Sequence, residues 1–238
     1  MKYMGSKARH AKDILPIILK GRKEKQYFVD LFCGGCNLID KVGGLRIAND
    51  SHYYLIEMFK ALQNGWIPPD EITEEKYLDC KKYPALNYSY LVGYVGFNCS
   101  YSGKWFGGYA GKTKTKTGQI RDYQKEAYNN VMNQVKNLTD IIFYNCDYRE
   151  VIIPQNSVVY CDPPYFATTK YSSLFNHEDF WDYMRKLSKE GYSCFISEYS
   201  APDDFDCVWE KTVTSSLSAN GKSGGNKISI EKLFVYRG

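Results

Sequence analysis

The sequence has no apolar run long enough to span a bilayer, and its first residues lack the apolar core of a secretory leader. These absences predict a cytoplasmic protein without a membrane partner. No G-x-G-x-x-G fingerprint occurs, which disfavours a Rossmann dehydrogenase. Cysteine is not scarce, at eight copies, but only Cys33 and Cys36 stand at ligand spacing, with no second CxxC or CxxH pair to complete a zinc site. No metal is therefore expected. The thiols are scattered through apparent strands and loops of a long chain without a leader, so they read as reduced and mostly buried. Internal repeats are absent as well.

What is present in excess is tyrosine, with 22 copies beside 12 Phe and 4 Trp in 238 residues. Flat amphipathic rings in such supply suit base stacking, although most must serve as core or half-buried surface. Net charge is only +4, but it is unevenly placed. Residues 1–25 carry eight Lys and Arg against two acids, and residues 98–125 carry six against one. Two basic patches on an otherwise acidic body fit a polyanion, with a solvated charged face as the plainer alternative. The length accommodates one α/β domain with an insertion, or two small domains.

The apolar run Val158-Val159-Tyr160-Cys161 reads as a buried strand, and Asp162-Pro163-Pro164-Tyr165 follows it. Two prolines remove two backbone donors and fix φ, so the strand must stop and turn there. In open α/β sheets ligands bind beyond the carboxyl ends of the strands. The Asp162 carboxylate, the Asp162 and Pro163 carbonyls and the face of Tyr165 suit a planar ring bearing an exocyclic amino group. A plain Pro-Pro turn is the alternative.

Upstream, Tyr3-Met4-Gly5-Ser6-Lys7 precedes an amphipathic helix over residues 8–20, with Ser6 a cap and Pro16 a kink. A strand, Tyr27 to Phe32, runs into Cys33-Gly34-Gly35-Cys36-Asn37 and a short apolar helix, Leu38 to Val42. This is the first unit of a nucleotide-binding α/β fold, where bare backbone approaches the ligand. The next strand, Leu45 to Ala48, ends in Asn49-Asp50, an acid placed for ribose hydroxyls or for capping a helix from His52 to Gln63. Further elements are a helix over 123–138 and strands over 141–145 and 157–161. A helix over 177–190 and strands over 192–197, 208–214 and 228–236 complete the series. Residues 167–175 are expected to close over a ligand, and 220–227 to form a mobile hairpin loop.

Between Gly65 and Leu138 the pattern changes. From Gly93 to Ala110 glycine alternates with aromatics, and lysines follow. Asn98, Tyr101, Lys104 and Trp105, then Lys112, Lys114, Lys116 and Arg121, are the candidate DNA contacts, with rings to wedge or stack and cations to hold phosphates. A Gly-rich loop with its own small aromatic core is the alternative.

Five motifs in this order resemble the Dam-type, phage-like D12 class of DNA adenine-N6 methyltransferases: Tyr3-x-Gly5-x-Lys7, Phe28-Val29-Asp30-Leu31-Phe32-x-Gly34-Gly35, Asn49-Asp50, Cys146-Asp147-Tyr148 and Asp162-Pro163-Pro164-Tyr165. The resemblance covers nearly the whole chain. It implies a Rossmann-like α/β sheet with helices on both faces, made of residues 1–64 and 139–238, with a target-recognition insertion over 65–138. It implies S-adenosylmethionine as donor and S-adenosylhomocysteine as product, held by Tyr3, Lys7, Phe32, Cys33, Gly34, Gly35, Asp50, Asp147, Tyr148 and Asp162. Asp162, Pro163, Pro164 and Tyr165 become the catalytic loop, acting on an adenine flipped from double-stranded DNA, and the enzyme is expected to be a monomer in solution. Cys36 departs from the family pattern, which often has glycine there, and its thiol is placed to crowd the methionine portion of the cofactor.

Methylation of RNA bases is the nearest competing reading, because similar loops occur in such enzymes. Cytosine-N4 transfer and a non-catalytic DNA-binding module are more distant ones. Removing the charges of Lys112, Lys114 and Lys116 together should weaken DNA binding and lower the slope of log K against log salt by up to about 3. Binding measured across a salt series checks this, and an unchanged slope would move the phosphate footprint elsewhere.

Overall fold

Short strands whose residues do not alternate between buried and exposed form the main sheet, as expected where both faces are covered. In a computed structural model, which describes residues 1–115, 117–165, 175–215 and 227–238, β1 (Phe28–Asp30), β2 (Arg46–Asn49) and β6 (Val158–Cys161) are buried at every residue. With β5 (Ile141–Tyr144), β7 (Ser193–Glu198), β8 (Phe205–Ser215) and β9 (Lys227–Tyr236) they form a seven-stranded sheet in the order β5-β2-β1-β6-β7-β9-β8. Pairs β2–β5 and β6–β7 are parallel, whereas β7–β9 and β8–β9 are antiparallel. Successive strands run outward from β1 as β2 and β5 on one side and as β6 and β7 on the other. A reversal of this kind marks the doubly wound α/β architecture. The expectations for Lys116 and for most of 167–175 and 220–227 lie outside the described residues.

Two compact units divide the chain: Met1–Lys12 with Asp30–Ile152, and Asp13–Val29 with Ile153–Gly238. In the first, α2 (Tyr53–Gln63) begins at His52, whose side chain accepts from the Leu55 N–H. The stretch 65–138 belongs to this unit and holds α3 (Glu74–Lys82), α4 (Ser89–Asn98), the hairpin of β3 (Lys112–Lys114) and β4 (Ile120–Asp122), and all of α5 (Tyr123–Val135). In the second, α6 (His177–Lys189) starts at Asn176, whose side chain accepts from the N–H groups of Glu178 and Asp179. Its face of Phe180, Trp181, Met184 and Leu187 is buried. Among the described residues no helix is long and apolar enough to cross a membrane.

Two sequence expectations are corrected, and the alternative of a Gly-rich loop between Gly93 and Ala110 is met only in part. The helix of residues 8–20 begins later, as α1 (Ala11–Ile18), because Ser6 caps a separate 3-10 turn, Lys7–Arg9, by accepting from the Ala8 N–H. Leu38 to Val42 forms no α-helix but a single 3-10 turn, Ile39–Lys41. Between the glycine pairs 34–35 and 43–44 there is too little chain to repay helix nucleation. The Gly-aromatic stretch is not a loop throughout: its first part is α4, where Val92, Tyr94, Val95 and Phe97 are all buried.

Gly93 and Gly96 make that burial possible. A Cβ on Gly93 would overlap the Tyr54 carbonyl oxygen of α2, and one on Gly96 would overlap the Trp105 ring. Bare backbone thus lets α4 lie directly on α2. Gly93→Ala should destabilise the fold by roughly 1–3 kcal/mol through overpacking, lowering the melting midpoint by roughly 3–10 °C. A thermal melt checks this, and an unchanged midpoint would mean the two helices have room to spare.

Candidate active site

The β1 strand ends at a turn whose backbone does most of the shaping. The Cys33 N–H donates to the Asn49 carbonyl at 2.8 Å, and the Cys36 N–H closes the turn onto the Cys33 carbonyl at 2.8 Å. Gly34 has φ +46°, and Cys36 has φ +54°. The first suits glycine; the second strains a residue with a Cβ. The Cys36 side chain is fully buried in hydrogen-bonding contact with the Cys33 thiol, and burial pushes both thiols up. Tyr3 lies across the turn: a Cβ on Gly34 would sit 2.6 Å from Tyr3 Cε1, and one on Gly35 2.6 Å from Tyr3 Cβ.

Asp50 completes this corner. Its carboxylate accepts from the Gly34 N–H at 3.0 Å and from the His52 N–H at 2.8 Å. Burial nonetheless holds the group above the usual carboxylate range. Each oxygen retains a lone pair for a further donor. Phe32 and Tyr148 pack with ring centroids 5.2 Å apart. Asp147 caps the following 3-10 turn through the Arg149 N–H at 2.9 Å, and the Arg149 guanidinium grips it at 2.8 and 3.1 Å, drawing its carboxyl below the usual range. Lys7 is half-buried at the start of its own turn. The structure therefore brings Tyr3, Phe32, Cys33, Gly34, Gly35 and Asp50 to one turn, with Tyr148 against Phe32.

The hydrogen bonds that support that turn were not read from sequence. The Asn49 carboxamide donates to the Leu31 carbonyl (3.1 Å) and the Cys146 carbonyl (3.3 Å) and accepts from the Cys146 N–H (3.2 Å). Asn145 donates to the Asp50 carbonyl at 2.8 Å. Gln134 of α5 donates to the Gly35 carbonyl at 2.9 Å and to Asp40 at 3.1 Å. Gln134 did carry a signal, being a polar residue on the buried face that Ala127 and Val131 begin.

In the second unit, β6 delivers Asp162 half-buried, Pro163 buried, Pro164 exposed and Tyr165 half-buried. The Tyr165 hydroxyl donates to Glu231 at 3.0 Å, and the Tyr199 ring meets Tyr165 nearly perpendicular at 4.5 Å.

The candidate DNA contacts separate into two groups. Tyr101, Lys104, Lys112, Lys114 and Arg121 are exposed. Lys112 pairs with Glu71 at 3.1 Å, and Arg121 grips Glu126 at 2.6 and 2.9 Å while covering the Tyr123 ring. Asn98, by contrast, is 3% exposed, with Nδ2 on the Met58 sulfur, and so lies inside rather than on the surface. Trp105 is half-buried among Phe97, His52 and Tyr54, at ring separations of 4.9, 4.3 and 5.7 Å. Phe97 in turn meets Tyr3 at 5.4 Å. Among the described residues no group of three or more His, Cys, Asp or Glu is placed to hold a metal ion.

A bare-backbone turn after the first strand of a doubly wound sheet, with an acid closing the second, is the general architecture of nucleotide-binding α/β proteins. The chain belongs to the D12 class N6 adenine-specific DNA methyltransferases, whose family model matches residues 3–87 and 73–202. The modification methylase StsI of Streptococcus sanguinis is 27% identical over 194 residues, which cover 71% of this chain and 29% of that protein. Among solved structures, a tRNA (m1A58) methyltransferase, TrmI from Aquifex aeolicus, aligns with a TM-score of 0.36 and 11% identity over 95% of this chain and 68% of that one.

Burial lowers the His52 pKa to about 4, so the imidazole that caps α2 is neutral in the fold. An unfolded histidine titrates near 6.5, so the unfolded chain takes up a proton over a range where the folded one does not. Stability should therefore be full above about pH 6.5 and fall as pH drops towards 4. Melts across that window check it, with His52→Asn, which keeps a capping acceptor but does not titrate, expected to flatten the dependence.

Proposed function

We propose that this chain transfers a methyl group from S-adenosylmethionine to N6 of an adenine in double-stranded DNA, at a specific sequence, acting in the cytoplasm as a monomer. The observation that carries the reading is Asp162-Pro163-Pro164-Tyr165 at the end of a buried parallel strand, within the residues matched by an adenine-specific family.

The residues present fit the cofactor. A turn of bare backbone, an acid with unused lone pairs and flat rings nearby are what an adenosyl group with ribose hydroxyls requires. Tyr3, Lys7, Phe32, Cys33, Gly34, Gly35, Asp50, Asp147 and Tyr148 would hold it. When bound, it supplies an electrophilic methyl on a sulfonium, already a good leaving group, so no metal is needed.

The remaining work falls to the chain. An adenine within a duplex is out of reach, and flipping it costs a few kcal/mol. Residues 65–138 would read the site, with exposed Lys104, Lys112, Lys114 and Arg121 on phosphates; their surface ion pairs are weak enough to exchange partners. Tyr165 would stack on the flipped ring. Asp162 and the Pro163 carbonyl would accept from the two N6 hydrogens, drawing the nitrogen towards tetrahedral geometry and freeing its lone pair for in-line attack. After transfer the amino nitrogen carries a positive charge and releases a proton, for which Asp162 is the acceptor at hand.

Asp162→Ala should lower methyl transfer by at least roughly 100- to 1,000-fold while S-adenosylmethionine still binds. Labelled-methyl transfer to unmethylated duplex DNA, run beside RNA and with the product nucleosides separated by mass spectrometry, checks both substrate and atom. Label confined to RNA, or an Asp162→Ala variant as active as the unsubstituted chain, would overturn the reading.

A further inference from the structure

The Tyr165 ring is held at more points than a surface loop requires. Two prolines fix the backbone entering it, the Tyr199 ring stands against it at 4.5 Å and 81°, and its hydroxyl donates to Glu231 at 3.0 Å. Glu231 is well anchored in turn. It lies on β9 in register with Lys211 of β8, one residue before Lys232, which pairs with Glu198 of β7. A carboxylate on a strand of the sheet is therefore aimed at the loop that follows β6.

We infer that Glu231 is a positioning residue for base capture: its carboxylate fixes the Tyr165 hydroxyl and thereby the plane of the ring on which the target adenine stacks. The inference rests on the proposed function. A carboxylate is a stronger acceptor for the phenol than a neutral group would be. Burial, with the charges of Asp162 and Glu231, pushes the Tyr165 phenol up, so it remains a donor throughout the working range. Stacking geometry is the property that such a bond protects. Productive sites need their groups held within tens of degrees or better, and displacement by about 1 Å costs on the order of 100-fold. Glu231 lies on the hairpin of β8 and β9, beyond the residues matched by the family, 3–87 and 73–202.

The test is a double-mutant cycle on the full chain: Glu231→Ala, Glu231→Gln, Tyr165→Phe and the Glu231→Ala/Tyr165→Phe pair. Labelled-methyl transfer to duplex DNA gives kcat and KM, calorimetry gives S-adenosylmethionine affinity, and thermal melts report folding. Glu231→Ala should lose about 10- to 100-fold in kcat, with cofactor affinity and melting midpoint unchanged. Glu231→Gln, which retains an acceptor, should recover most of the loss, and Glu231→Ala should have almost no further effect on Tyr165→Phe. A Glu231→Ala enzyme at full kcat, or the same loss in the Tyr165→Phe background, overturns the inference. Should Glu231→Ala fail to fold, Tyr165→Phe alone decides: it must reproduce the kcat loss, and full activity overturns the inference. Failure of the underlying reading is distinguishable, because the unsubstituted chain would then yield no N6-methyladenine in DNA.

Discussion

One buried carboxamide ties together the ends of the strands on which the turn after β1 stands. Asn49 is 1% exposed, and it spends both amide hydrogens and its oxygen on the backbone of Leu31 and Cys146. Those groups lie just past the ends of β1 and β5. Leaving a buried donor or acceptor unmatched costs about 1–3 kcal/mol apiece. Asp50, the next residue, is aimed as a consequence: its carbonyl is taken by Asn145 and its carboxylate by the Gly34 and His52 N–H groups. The turn is held from a second direction by Gln134 on the Gly35 carbonyl. Polar side chains here do what a ladder does elsewhere in the sheet.

How much of this was legible depended on the range of the interaction. Strands β1, β2 and β6 announce themselves as short, mostly apolar stretches that run into glycine, Asn-Asp or Pro-Pro, because burial on both faces removes alternation. The turn residues and Asp162 to Tyr165 could be found for the same local reason. Asn49, Gln134 and Glu231 could not be assigned their partners: Asn49 reaches Cys146 across 97 positions and Gln134 reaches Gly35 across 99. No periodicity records a bond to a distant carbonyl. Gly93 and Gly96 show a different limit. The same letters permit a flexible loop or a tight helix crossing, and the partner, Tyr54 or Trp105, decides which.

The basic stretch around Lys112 and Arg121 likewise carries more restraint than its composition implies. Glu126 receives both Arg121 and Lys2, and these hydrogen bonds, Arg121 foremost, lower its pKa to about 2. Lys112 is shared between Glu71 and Asp122. Acids interleaved among the cations set where positive side chains rest before any polyanion arrives. Because such exposed pairs are individually weak, they orient the surface without tying it up.

The close approach of Gly93 to the Tyr54 carbonyl bears on how segments can be exchanged between relatives. Recombination that exchanged residues 65–138 between relatives would replace α4 while leaving behind the α2 surface to which it is fitted. A donor segment with alanine or serine at Gly93 would meet backbone, which cannot move aside as a side chain can. Functional chimeras would therefore carry their junction upstream of Tyr53, so that α2 and α4 travel as one heritable block.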